Sequence, residues 1–138
     1  MKRDYFKDLN MSYNVRGELL GFPDTQNVTI KEIDELFSTL TDVDNENISF
    51  TIVNPYLLRE YSFDIPSDIK VLLDINEKSS LSVYNILVIQ KPIEKSVVNF
   101  LAPIVVNHDN NKLAQVILDP VKHPDFGMAE TIESFKEQ

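Results

Sequence analysis

Two histidines, His108 and His123, are the first place to look for acid–base chemistry in this chain, because imidazole is the side chain that titrates near neutrality unaided. His108 lies in the polar run Asn107–Lys112 (NHDNNK), and His123 precedes Pro124. Neither stands in a nucleophile context such as G-x-S-x-G, so each reads as a surface histidine. There are no cysteines. That removes disulfides, thiolate metal ligands and thiol nucleophiles together, and it fits a reducing cytoplasm. Glycine occurs only at positions 17, 21 and 127, which leaves no phosphate-cradling loop. Asp125-Phe126-Gly127 copies three letters of a kinase motif without its companions. Asp42–Asn47 (DVDNEN) begins like a calcium loop, but Asn47 and Val53 stand where that loop needs Gly and Glu. A solvated turn is the plainer reading. Carboxylates such as Glu60, Asp64 and Asp68 are plentiful, yet none has a neighbour suited to raising its pKa, so paired-carboxylate hydrolysis is unsupported. The sequence implies no enzyme, no cofactor and no metal site.

The elements that would have to position any site are mostly strands. Val97–Leu118 organises them. Val97–Val106 carries no charge, Asn107–Lys112 is turn-rich, and Leu113–Leu118 is apolar again. That pattern predicts an antiparallel hairpin. In the first arm, Val98, Phe100, Ala102, Ile104 and Val106 share one face, and Val97, Asn99, Leu101, Pro103 and Val105 share the other. A strand apolar on both faces is either sandwiched in a core or buries one face against a partner. Pro103 cannot donate to a ladder and points to an edge or a bulge. An edge would leave a docking surface, and a bulge would leave a central core strand.

Upstream, Tyr13–Leu20 alternates weakly until Gly21-Phe22-Pro23-Asp24 turns the chain. Asn27–Thr41 is ambiguous. Ile33, Leu36, Phe37 and Leu40 have helical spacing, while Val28, Thr29 and Ile30 favour strand, and two strands fit the β-rich surroundings. Ile48–Val53 and Leu81–Ile89 read as strands. Ser67 is a candidate N-cap for a short helix through Ile69, Leu72 and Leu73. Met128, Ile132 and Phe135 predict an amphipathic C-terminal helix over 125–138. The first twelve residues read as a loosely held end. The sum is one domain over 1–138, mainly β: a small antiparallel barrel-like fold capped by one or two short helices.

The totals bound the partners. The 138 residues are 43% hydrophobic and 25% charged, ordinary for a soluble globular protein. No apolar run approaches a membrane span, and the N-terminus has no apolar signal-peptide core. Thirteen basic against twenty-two acidic side chains give a net charge of −9. Such a surface repels nucleic acid and attracts basic proteins. Six acids, Glu32, Asp34, Glu35, Asp42, Asp44 and Glu46, form either a steering patch or the wet face of two elements.

Four segments in order resemble the flagellar assembly factor FliW family. Val98-Asn99-Phe100-Leu101-Ala102-Pro103-Ile104-Val105-Val106-Asn107, followed by Ala114-Gln115-Val116-Ile117-Leu118, is similar to its V-N-L-x-A-P-I-x-x-N and Q-x-I-L strands. Gly21-Phe22-Pro23 resembles its early turn. Ile48–Pro55 and Tyr61–Ile65 resemble its F-x-V-x-x-P and D-Y-x-x-x-I segments. The likeness runs from about Val15 to Leu118. Phe100 replaces the usual Leu, and Glu60 stands where Asp is frequent.

The resemblance implies a cytoplasmic, non-enzymatic β-barrel that binds flagellin and the RNA-binding translational repressor CsrA. Holding CsrA off the flagellin message would allow translation, and free flagellin would reverse it. The acidic charge and the lack of a long apolar run add the expectation of no direct contact with nucleic acid and none with membrane. On the reading the resemblance gives, Phe100 and Tyr61 are partner anchors, Asn54 and Asn99 orient the contact, Pro55 and Pro103 fix local backbone, and Glu60 and Asp64 supply negative charge. Two alternatives stay open: a flagellin chaperone with no translational role, and a ligand-binding or enzymatic barrel whose mouth gathers His108 and His123.

Overall fold

The computed structural model describes residues 12–136. The expectation for the N-terminal end therefore lies almost wholly outside the described residues. In chain order the elements are β1 (Ser12–Val15), β2 (Asn27–Glu32), β3 (Phe37–Asp42), β4 (Ser49–Val53), a 3-10 turn (Pro55–Leu57), α1 (Ser67–Leu72), β5 (Leu81–Val88), a second 3-10 turn (Ile93–Lys95), β6 (Val97–Val98), β7 (Ile104–Asn107), β8 (Lys112–Gln115), β9 (Glu130–Thr131) and α2 (Glu133–Lys136). Hydrogen bonding runs β4-β3-β2-β1-β8-β7-β5 and returns from β5 to β4. Seven strands thus close a barrel. The β1–β8 joint is parallel and the other six are antiparallel. Closure removes the exposed edges that an open sheet would present.

Two strands, and no helix, fill Asn27–Thr41. The register Val28↔Asp42 through Glu32↔Ser38 puts Val28 and Leu40 inside the barrel, both 0% exposed. Ile33, the first residue of the helix-like spacing, is exposed. The Asp34 carboxylate accepts the Leu36 and Phe37 amides and makes the turn that separates the strands. β1 is shorter than Tyr13–Leu20 predicts. Gly17 and Gly21 both take positive φ, 74° and 87°, a backbone region open to glycine at little cost. Between them the chain leaves the sheet, and the Phe22 amide donates to the Leu19 carbonyl. Ser67 does not cap α1. It is the first helical residue, and Pro66 holds the cap position without a side-chain bond. With φ at −57°, Pro66 already aims the chain into the helix, and its carbonyl accepts from Lys70.

Apolar residues fall into an inner and an outer layer. Val28, Leu40, Ile52, Ile104, Val106 and Leu113 fill the barrel. Val53, Leu87, Val98, Phe100, Val105 and Ala114 pack outside it. The wall made by β4, β5, β7 and β8 is therefore apolar on both faces, because α1 and the segments 54–65 and 118–135 cover it. This resolves the open question over Val97–Val106. The run is central. β7 lies between β5 and β8, and β6 between β5 and β9, so no unpaired edge exists there for docking. It is also not one strand. Tyr84 pairs with Ile104 and Leu87 with Val98. Only Asn85 and Ile86 then stand against the five residues Asn99–Pro103. Pro103 sits in this wide bulge, where its missing N–H breaks no ladder bond.

The C-terminal helix shrinks to one turn. β9 pairs with β6, Val97↔Thr131 and Val98↔Glu130, and this pairing claims the residues a longer helix would need. Ile132 and Phe135 still pack on the outer cluster, but Met128 is 67% exposed.

Candidate partner-binding surface

The segment after β4 lays a lid over the outer wall. The Asn54 amide donates to the Leu36 carbonyl, and its side-chain oxygen accepts the Tyr56 amide at 3.0 Å. Pro55 is buried and starts the 3-10 turn. The turn leaves Tyr56 and Leu57 about half exposed, 53% and 51%. The chain then dives inward at Tyr61, which is 6% exposed. Its hydroxyl donates to the Phe100 carbonyl at 2.6 Å and accepts from the Asn85 side-chain amide at 3.2 Å. Asn85 also donates to the Asn99 carbonyl at 2.9 Å. Two bulge carbonyls, those of Asn99 and Phe100, are thus held by side chains, as buried carbonyls require, while the Asn99 amide still reaches the Ile86 carbonyl of β5 at 3.3 Å. Burial pushes the Tyr61 phenol up to about 12, against a smaller lowering from the Asn85 hydrogen bond.

Arg59 ties this lid to the C-terminal segment. It donates to the Glu60 carbonyl through Nε and to the Asp125 carbonyl through Nη1, and pairs with Glu130 at 3.3 Å. Its guanidinium lies 5.3 Å from the Phe100 ring centre and 4.9 Å from that of Phe126, a geometry that favours a flat cation over an aromatic face. Glu130 in turn accepts the Gly127 amide at 2.6 Å. A Cβ on Gly127 would stand 2.7 Å from the Glu130 side chain, so the close approach needs glycine. Beside this knot lies a cavity of about 480 Å³ lined by Arg59, Glu60, Asp125, Glu130 and Phe135. Three acidic residues outnumber one guanidinium, and Phe135 adds a single ring.

The residues singled out in the sequence meet here in unequal roles. Tyr61 and Phe100 come together, with ring centres 5.6 Å apart, but Phe100 is 0% exposed. Both are core side chains and offer a partner no surface as they stand. The bulge turns Phe100 away from the barrel interior, where Ile104 and Val106 sit, and onto Tyr61 and Phe135 beneath the cover. Glu60 and Asp64 are exposed. Asn99 is half-buried and shapes the bulge, accepting the Leu101 amide at 2.9 Å. Pro103 is buried, and its carbonyl accepts from Val116. Sequence reasoning missed Arg59, Phe126 and Glu130. Their signal is tertiary, because Arg59 and Glu130 stand 71 positions apart in the chain.

Other candidates disperse. His108 lines the barrel mouth, while His123 stacks on Phe126 in the outer cover, ring centres 5.2 Å apart. The two histidines do not gather, which removes the enzymatic mouth that needed both. Among the described residues no group of three His, Asp or Glu could hold a metal ion, and no helix is long and apolar enough to cross a membrane. The six-acid patch is split. Asp42 is buried and accepts from Thr25 at 2.8 Å, while Asp34 and Glu35 lie at the other end of β3.

Fold and cleft together define a small acidic barrel of seven strands with an aromatic, charge-clamped cover on its outer wall. The model of the FliW protein family matches residues 6–131, and the chain belongs to that family. It is 45% identical over 125 residues to flagellar assembly factor FliW 2 of Wolinella succinogenes, covering 91% of this chain and 92% of that one. It is 43% identical over 129 residues to flagellar assembly factor FliW of Campylobacter lari, covering 93% and 98%. A crystal structure of the flagellar assembly factor FliW shares the fold, with a TM-score of 0.79 at 20% identity, covering 88% of this chain and 84% of that chain.

Proposed function

We propose that this chain is a cytoplasmic flagellar assembly factor that works by binding, with no catalysis of its own. Its partners are flagellin and the translational repressor CsrA. Holding CsrA away from the flagellin message permits flagellin synthesis, and free flagellin competes for the protein and restores repression. The observation that carries this reading is the family membership, with 45% identity across nine-tenths of the chain to a protein named as a flagellar assembly factor. The net charge of −9 supports it, since CsrA is basic.

The surface best suited to a basic partner is the cleft beside Arg59. Glu60, Asp125 and Glu130 supply charge there, Asp64 adds charge on the same lid, and the exposed Tyr56 and Leu57 supply apolar contact. Asn54, Pro55, Asn99 and Pro103 act on backbone shape, and Phe100, seated on Tyr61, supports Phe135, the ring that lines the cleft. The test is a competition with purified proteins. Each partner binds alone, and added flagellin releases CsrA. A protein that ignores both would sink the reading. A flagellin-message reporter separates it from a chaperone role, which predicts no change in repression.

A further inference from the structure

We propose that the open mouth of the barrel is a binding site for an ammonium or guanidinium group. The mouth is lined by Tyr13, Ile30, Glu32, Ser38, Ser82, Tyr84 and His108 around a cavity of about 290 Å³. Strand alternation builds it. Ile30 and Glu32 on β2, and Ser82 and Tyr84 on β5, are two apart and so point the same way. Tyr13, Ile30 and Tyr84 pack on the barrel interior, which makes the floor apolar and the rim polar.

The chemistry of the rim is one-sided. It offers the Glu32 carboxylate, two phenol and two serine oxygens, and an imidazole, and among the described residues no Lys or Arg lines it. Ser82 Oγ lies 2.7 Å from His108 Nε2, and the Tyr13 hydroxyl lies 3.5 Å from His108 Nδ1. These contacts fix the ring, which stands edge-on to Tyr13. Burial favours the neutral imidazole against a smaller opposing pull from Asp109, so the ring does not repel a cation. Burial raises both phenols above their ordinary value, at Tyr84 against a smaller lowering from the Ser82 hydrogen bond, so both stay protonated. Protonated phenols present intact hydroxyls and negative ring faces, both favourable to a cation. At roughly 30 Å³ per water the cavity holds about ten waters, enough for a methylguanidinium or the end of a lysine. None of its lining residues belongs to the cleft beside Arg59, so the inference stands apart from the proposed flagellin and CsrA reading.

The experiment is amide chemical-shift mapping on the full chain. Methylguanidinium and n-propylammonium are titrated in, with urea and acetate as uncharged and anionic controls. Saturable shifts confined to the seven mouth residues are expected with the two cations alone. Glu32→Gln, at an exposed carboxylate, is expected to weaken both by at least about tenfold, with the unfolding midpoint unchanged. Tyr84→Phe gives a second reading through one lost hydroxyl. Two further titrations, with spermidine and with an acetyl-Gly-Arg-Gly-amide peptide, tell a free polyamine from a basic side chain of another protein. Shifts spread evenly over the acidic surface, equal shifts with urea, or affinity unaltered in Glu32→Gln would overturn the proposal.

Discussion

At the scale of single residues, Tyr61 and Phe100 carry the most consequence. Phe100 is fully buried, so Phe100→Ala removes a ring that nothing nearby can replace. A loss of about 3–5 kcal/mol is expected in urea unfolding, a large share of a small domain's stability. Partner affinity measured on whatever remains folded would change little if the ring acts only as a support. Tyr61 leaves a pH signature. In the folded protein its phenol ionises at about 12, and in the unfolded chain near 10. Below pH 10 its contribution is complete. Between those values the unfolded state sheds the proton and the folded state keeps it, so stability falls as pH rises. Tyr13, Tyr56 and Tyr84 shift in the same direction and steepen the fall. Tyr61→Phe should make the alkaline limb shallower, as read from denaturation midpoints above pH 10. An unchanged slope would mean that Tyr61 is not buried as described.

At the scale of elements, the questions are what holds the C-terminal segment down and what holds the hairpin. β9 offers two paired residues and α2 a single turn, too little to stay docked by hydrogen bonding alone. The Phe100 amide donates to the Gly127 carbonyl, the Ile132 amide donates to the Ser96 carbonyl and Lys95 pairs with Glu133; Arg59 adds the Asp125 carbonyl, the Glu130 carboxylate and the Phe126 ring. Arg59→Ala is expected to speed amide exchange at Gly127, Ile132 and Phe135 by roughly tenfold, an opening cheaper by about 1.4 kcal/mol. Arg59→Lys should recover little, because an ammonium cannot span the same acceptors. Exchange unaltered in both variants would place the clamp elsewhere. The hairpin is fixed differently. Asn107 and Asn110 both donate to the Leu73 carbonyl at the end of α1, and Lys112 pairs with Asp74. The turn-rich run between the arms is therefore also the anchor for the helix.

At the scale of the whole molecule, closure and charge act together. A closed barrel exposes no long strand edge, so partners must be met through side chains or covers rather than by strand addition. The excess of acid over base gives long-range attraction for a basic partner. The proposed association with CsrA should slow as salt rises from about 50 to about 500 mM, while the dissociation rate changes less. Stopped-flow rates indifferent to salt would remove steering from the account. Splitting the acids between the two ends of β3 makes this a property of the overall field and not of one patch.

The sequence by itself determined the strand content, the turns, the absence of cysteine chemistry and the resemblance that family membership bears out. These are local quantities: alternation of two, glycine and proline placement, and short motifs in order. It also left Val97–Val106 correctly poised between a docking edge and a bulged core strand. Only the tertiary structure could choose, because a run apolar on both faces records that it is covered and not by what. The cover proved to be the chain's own lid and C-terminal segment. Arg59, Phe126 and Glu130 were silent in the sequence for the same reason. Their meaning comes from partners many positions away, and no periodicity encodes a contact made only when the barrel closes.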